Sequence, residues 1–261
     1  MFVVLRYFKA LKDSRSLILA FATGELKNRY RNSVLGFFWS ILEPLLLLSV
    51  IYVVFSSILK QTIPHFIIYL LLGLIVWNFI SRSTASGLHS ISSKGALLSN
   101  VYFQRAIPAI SSTLSALFMM ALEFVIFVIF LAVLGFVPPQ TIVFLPYLVF
   151  LAFVISLGLS LPLSVLNVLY KDVQFIWNII ITAGFFVHPI MYTTDMLPSG
   201  IREKLTLIPT VRLFDMMHKT TIFGITPSIW DFLYVTVTAF TILFAGYFIY
   251  RLFEPRIAEE I

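Results

Sequence analysis

The sequence predicts an all-α integral membrane protein with six transmembrane helices, and two observations lead to this fold class. Of its 261 residues, 60% are hydrophobic and only 11% are charged, whereas a soluble domain carries about 25% charged residues. The apolar residues also fall into runs long enough to cross the hydrocarbon layer, for which about 20 residues suffice. Without internal repeats or low-complexity tracts, the chain reads as one membrane domain over 1–261.

An interfacial arm occupies residues 1–32. Val3, Val4, Tyr7, Phe8 and Leu11 share one helical face, opposite Arg6, Lys9 and Lys12. This pattern predicts an amphipathic helix that lies on the membrane surface. A basic cluster follows directly before the first apolar run, and its members are Lys27, Arg29, Tyr30 and Arg31.

Hydropathy and helix breakers predict the membrane spans in order. Pro44 lies inside the first span, and Gly135 with Pro138 and Pro139 separates the third from the fourth. The predicted spans cover about residues 34–59, 66–81, 106–134, 142–169, 173–192 and 232–250.

Two segments between the spans mix polar and apolar residues. Residues 82–105 are polar except for a group around Ala96, Leu97, Leu98 and Tyr102, which predicts a short helix outside the membrane. Residues 193–227 are too charged to span and too apolar for a free loop.

The distribution of basic residues predicts the orientation. With six spans, thirteen of the eighteen Lys and Arg residues lie on the side of both termini. Positive residues are enriched in cytoplasmic segments, so we expect both termini in the cytoplasm.

Glu43 and Glu123 are the two acids well inside the predicted spans. Intramembrane carboxylates usually face a cavity or a partner. The sequence leaves open whether they line a polar pathway, act as proton sites or link helices. Aromatic residues in or near the spans could stack on sugars in a channel or serve packing, and the channel or gate candidates are Phe38, Trp39, Trp177 and Phe185.

Enzyme signatures are absent from the sequence, which contains no phosphate-binding loop, no His-Glu-x-x-His and no Gly-x-Ser-x-Gly. The chain has no cysteine, and its four histidines are scattered. We therefore expect no catalytic residue, no metal and no cofactor. ATP hydrolysis, if used, would come from another polypeptide.

Several motifs resemble one family. The run from Leu26 to Pro44 is similar to the N-terminal signature of type-2 ABC permeases that export polysaccharides. The segments Leu97 to Pro108, Asn167 to Val173 and His188 to Tyr192 resemble that family's coupling helix, its turn between spans four and five, and its external Pro-x-x-Tyr segment.

This resemblance implies a homodimer with two copies of a separate ATPase in a bacterial inner membrane, and no nucleic-acid partner. It implies export of a glycan carried on undecaprenyl pyrophosphate, with O-antigen as the first choice. Lys27, Arg29, Tyr30 and Arg31 would meet the carrier's headgroup among the membrane lipids. The apolar group at 96–102 would dock on the ATPase, and residues 193–227 would form external re-entrant helices.

Alternatives stay open at this point. The same family exports teichoic acid and capsule, and a small-molecule drug exporter belongs to the same superfamily. A proton-coupled carrier would use Glu43 and Glu123 without an ATPase. A membrane enzyme acting on polyprenyl phosphates would need clustered acids or histidines, which the chain lacks.

Overall fold

A computed structural model describes residues 14–29, 31, 33–58, 62–94 and 104–257. Within these ranges all regular structure is helical, which confirms the predicted all-α class. The α-helices of this part of the chain are α1 (Arg15–Arg29), α2 (Trp39–Val53), α3 (Phe66–His89), α4 (Ile107–Val133), α5 (Leu145–Leu169), α6 (Val173–Val187), α7 (Ser199–Leu205), α8 (Pro209–His218) and α9 (Ile229–Phe253).

Among the described residues, five helical stretches are long and apolar enough to cross a membrane, and they contain α2, α3, α4, α5 and α9. Their bounds are Trp39–Ser56, Phe66–His89, Ile107–Val133, Gln140–Leu169 and Ile229–Arg256. The predicted fifth span coincides with α6, a shorter apolar helix of 15 residues. The prediction of a multi-span membrane protein is therefore confirmed.

The helix α3 is the centre of the packed bundle. Most of its residues between Phe66 and Leu88 are buried, and α4 and α5 pack along it while α9 packs against α5. By contrast, α2 buries only the stripe formed by Ser40, Pro44 and Leu48. The helix α3 also continues to His89, eight residues past the predicted end of the second span at 81.

Helix ends follow local sequence signals. Gly135 has a φ of 63°, a left-handed conformation that suits glycine, and it closes α4. Pro108 lies in the first turn of α4, where its missing N–H is not needed. Ser228 and Asp231 form a reciprocal capping box at the start of α9.

The segment between α6 and α9 folds into short helices against the bundle. The helix α8 buries an apolar stripe that includes Val211, Leu213 and Phe214, and it packs on α3 and α5. A π-helical turn, Lys219–Phe223, follows α8 and ends at Gly224, which has a φ of 68°.

Some predicted features lie outside the described residues. These are the amphipathic helix between Phe2 and Lys12, Tyr30 of the basic cluster, and the docking group Ala96, Leu97, Leu98 and Tyr102.

Candidate functional site

The basic cluster lies where α1 ends, ten residues before α2 begins. Lys27 is in the last turn of α1, Arg29 is its final residue, and Arg31 follows it. The side chains of Lys27 and Arg31 are exposed. Their charges are therefore available to an anion from outside the chain.

The start of α2 presents three of the predicted channel residues together. Phe38 and Trp39 are 62% and 41% exposed, and Glu43 is exposed one turn further along the helix. Residues four apart lie on the same side of a helix, so Trp39 and Glu43 share a face. That face is separate from the stripe through which α2 packs on the bundle.

Glu123 is in a different environment. It lies in α4, is 1% exposed and forms an ion pair with Arg82 of α3. Arg82 also donates a hydrogen bond from Nε to the Asn78 carbonyl at 3.1 Å. The pair connects the two central helices.

Sequence analysis missed Arg82 as the partner of Glu123, because it assigned Arg82 to the polar stretch after the second span. The sequence did contain a signal for this pairing, because an acid in the middle of a membrane span usually pairs with a cation on a neighbouring helix. The helix α3 runs through residue 82 without a break and brings that cation to Glu123.

The predicted residues Trp177 and Phe185 face α3. Trp177 Nε1 donates to Thr84 Oγ1 at 3.1 Å. Phe185 lies edge-on to Trp77, with ring centroids 6.3 Å apart. A Cβ on Gly184 would come within 2.6 Å of the Trp77 ring, so a residue without a side chain is needed at this contact.

The opposite face of α6 is open in the single chain. No residue of α6, all of which are described, is buried. A shallow concavity of about 370 Å³ runs along this open face, which we define by Asn178, Ile179, Thr182, Ala183 and Phe186. The face combines an amide, a hydroxyl and an aromatic ring, which are groups that can contact sugars.

Asn178 and Thr182 were not among the predicted site residues. The signal for them was their spacing, because two polar residues four apart mark one face of an otherwise apolar helix. The Thr182 hydroxyl donates to the Asn178 carbonyl at 2.8 Å, so part of its polarity is satisfied within the helix.

A second polar cluster joins α3 to the segment after α6. Tyr69 donates its hydroxyl hydrogen between the carbonyls of Pro189 and Tyr192, at 2.9 and 2.7 Å. The His218 ring stacks on Tyr69 with centroids 3.7 Å apart. His218 Nε2 donates to the Tyr69 carbonyl at 3.0 Å, since a carbonyl can only accept. These contacts fix the short helices to the central helix.

The described residues offer no metal site, since no three His, Asp or Glu side chains among them group closely enough to hold an ion. The docking group at 96–102 is not described, but both of its flanks are. Lys94 ends a short 3₁₀ turn before it. After it, Arg105 Nη1 donates to the Glu254 carbonyl at 3.1 Å, which joins this end to the C-terminal end of α9.

Comparison with known families decides the identity of this membrane domain. The family model described as ABC-2 type transporter matches residues 16–222. The chain belongs to the ABC-2 type transporter family. The family predicted from the motifs is thus confirmed, and the match extends from α1 to the π-helical turn after α8.

Curated relatives of this ABC-2 chain carry export and transport names. It is 29% identical over 204 residues to the O-antigen export system permease protein RfbA of Myxococcus xanthus, covering 78% of each chain. It is 24% identical over 247 residues to a protein of the same name from Klebsiella pneumoniae, covering 93% of this chain and 94% of the relative. The polysialic acid transport protein KpsM of Escherichia coli is 22% identical over 234 residues, covering 87% and 89%.

Proposed function

We propose that this ABC-2 chain is the membrane permease subunit of an ATP-driven exporter, which moves a lipid-linked polysaccharide, O-antigen first, across the bacterial inner membrane. The names of its relatives support the class of cargo. The observation that carries the proposal is the open face of α6, because the exposed Asn178 amide of a membrane helix needs a polar partner or a cavity.

A second copy of the chain would enclose that face. In the proposed homodimer, the exposed starts of the two α2 helices and the open faces of the two α6 helices line a channel between the subunits. Sugars would meet Phe38, Trp39, Asn178 and Thr182 by weak, repeated contacts. Multiple weak sites let a long polymer move without being trapped.

The proposed topology has six spans, with α6 as the fifth. Fifteen residues rise only about 22 Å, less than the hydrocarbon thickness of roughly 30 Å. The segment from His188 to Tyr192, which Tyr69 holds at the N-terminal end of α3, would complete the crossing. Both termini would then be cytoplasmic, and α7 and α8 would be external re-entrant helices.

The carrier lipid would stay in the bilayer during transport. Its pyrophosphate would meet Lys27, Arg29 and Arg31, since lysine and arginine bind phosphate through charge-assisted hydrogen bonds. A separate ATPase, in two copies, would act on the docking group at 96–102. Lys94 and Arg105 lie at the two ends through which that motion would reach α3, α4 and α9.

The experiment tests the open face of α6. Thr182→Phe places a bulky ring in the proposed channel, so lipid-linked glycan should accumulate in the cytoplasm several-fold over the wild type. Thr241→Phe on α9 is the matched control, because both threonines are exposed and both donate to the carbonyl four residues earlier at 2.8 Å. We expect the control to export normally.

Two results would contradict the proposal. If deletion of the gene causes no accumulation of lipid-linked glycan, a lipid-linked glycan is not the substrate. If the Thr182 and Thr241 variants export equally, at equal amounts of protein in the membrane, α6 does not line the channel.

A further inference from the structure

A cavity of about 630 Å³ lies apart from the proposed channel, between α1, the end of α3 and the start of α4. The helix α1 contributes Phe21, Glu25 and Asn28 to its wall, and the opposite side carries Lys94 and Ser112. We call this space the α1 cavity. The orientation proposed above places the α1 cavity at the cytoplasmic surface of the membrane.

Lys94 brings a buried positive charge to the α1 cavity. Its Nζ has no hydrogen-bond acceptor among the described residues, although an ammonium carries three donors. The nearest acid, Glu25, places Oε2 at 3.9 Å, beyond hydrogen-bond distance. The Phe21 ring, with its centroid 4.9 Å from Nζ, stabilises the cation from one side. Burial lowers the pKa of Lys94, against the opposing effect of Glu25.

Glu25 brings a negative charge to the same space. Its Oε2 accepts a hydrogen bond from the Ser112 hydroxyl of α4 at 3.1 Å. A carboxylate offers about four acceptor sites, so capacity remains for a further donor. The cation and the anion are thus neighbours that form no hydrogen bond with each other, and both residues line the cavity.

A ligand with a phosphate and a primary ammonium complements this arrangement. We propose that the α1 cavity binds the zwitterionic headgroup of an aminophospholipid of the phosphatidylethanolamine type. The phosphate accepts from Lys94, with Asn28 as a second donor, and the ammonium donates to Glu25.

Such a lipid would connect α1 to the two ends of the docking segment, since Lys94 precedes it and Ser112 follows it. Phosphatidylcholine lacks an N–H for Glu25, and phosphatidylglycerol lacks the ammonium altogether. The proposal therefore predicts selectivity among lipids that share the same phosphate and acyl chains.

The test measures thermal unfolding of the full chain in detergent while short-chain lipids are added. Phosphatidylethanolamine at about 100 times its Kd should raise the Tm by roughly 5–10 °C. Phosphatidylglycerol and phosphatidylcholine of the same chain length should raise it much less. Two soluble probes, phosphoethanolamine and inorganic phosphate, distinguish a lipid site from a site for free phosphate. We expect phosphoethanolamine to bind weakly but measurably, and inorganic phosphate not to bind measurably.

Variants of Lys94 and Glu25 test the role of each charge in lipid binding. Lys94→Met and Glu25→Gln should each weaken phosphatidylethanolamine binding at least about tenfold, the loss of one charge-assisted hydrogen bond. Lys204→Met and Glu203→Gln on the exposed face of α7 make the same charge changes and should bind normally. Equal Tm shifts with the three lipids in the wild-type chain would overturn the proposal, even if a variant fails to fold. Inorganic phosphate reproducing the shift would also overturn it.

This binding test needs neither an ATPase nor a glycan. Loss of lipid selectivity therefore leaves the proposed export function untouched, and failure of export leaves the α1 cavity untouched.

Discussion

At the scale of single residues, charges inside this bundle are held by specific partners. Glu123 is buried in α4 and is paired with Arg82, which is 19% exposed. A carboxylate in such a place is tolerated only while the cation is present, because an uncompensated buried charge is costly. The pair supports a helix-linking role for Glu123 among the alternatives that the sequence leaves open.

A double-mutant cycle tests that role. Arg82→Met should lower the free energy of unfolding by roughly 3 kcal/mol, because it leaves the Glu123 carboxylate without its cation. Arg82→Met combined with Glu123→Gln should recover much of that loss and should restore export. The measurement is thermal unfolding in detergent beside an export assay. If the effects of Arg82→Met alone and of Glu123→Gln alone add up to the effect of the double variant, the two residues are not coupled.

A second prediction at this scale concerns His218 and the dependence of stability on pH. Burial lowers the pKa of His218 to about 4, and this outweighs its bond to Tyr69 and the nearby Asp215. The unfolded chain takes up the proton near pH 6.5 and the folded chain does not. Stability from the neutral ring is therefore fully present above about pH 6.5 and is lost as the pH falls towards 4.

We expect the Tm of the wild-type chain to fall between pH 6.5 and 4.5. His218→Gln should have a lower Tm at pH 7.5, because the stacking on Tyr69 is lost, but a shallower decline with acid. His89→Gln is the control, since His89 is exposed and should leave the wild-type slope unchanged. A slope in His218→Gln as steep as in the wild type would assign the acid sensitivity to other groups.

At the scale of helices, α5 and α9 approach each other through two glycines. A Cβ on Gly246 would lie 1.9 Å from the Gly158 carbonyl oxygen, and a Cβ on Gly158 would lie 2.8 Å from the Leu243 backbone. Small residues at a helix crossing allow the backbones to come close, which favours packing in a membrane. Backbone atoms cannot move aside as a flexible side chain can.

Gly246→Ala should therefore push α5 and α9 apart. We expect it to lower the free energy of unfolding by about 1–3 kcal/mol or more, the usual cost of overpacking. Gly200→Ala on α7 is the matched control, because nothing lies within 4 Å of its added Cβ. Thermal unfolding of both variants decides the point, and equal Tm values would contradict the close contact.

At the scale of the whole molecule, α2 and α6 are among the described helices that have little cover in the single chain. The helix α2 packs through one stripe, and α6 has no buried residue. The proposed homodimer covers both. The chain contains no cysteine, so one introduced cysteine reports on one position without background.

Ile179→Cys on the open face of α6 should cross-link to the partner copy with a short bifunctional maleimide in native membranes. Phe248→Cys on α9 is the matched control, since both positions are 69% exposed in the single chain. We expect a dimer band from Ile179→Cys several times stronger than from Phe248→Cys. A reversed ratio would move the dimer contact from α6 to α9.

The sequence by itself determined the membrane class, the family and most helix positions. The helix α4 covers Ile107–Val133, against a predicted span of 106–134, and α6 begins at Val173 as predicted. These features depend on hydropathy and on local backbone chemistry at residues such as Gly135 and Pro138, which act within a few positions along the chain.

Only the tertiary structure decided which side chains meet. It pairs Arg82 with Glu123, which are 41 positions apart, and it stacks His218 on Tyr69, 149 positions away. It also turns Trp177 towards α3 and leaves Asn178 open. Helices that are apolar all round give no periodic signal for the buried face. The facing of each side chain therefore depends on which neighbouring helix covers it, and that neighbour comes from a distant part of the chain.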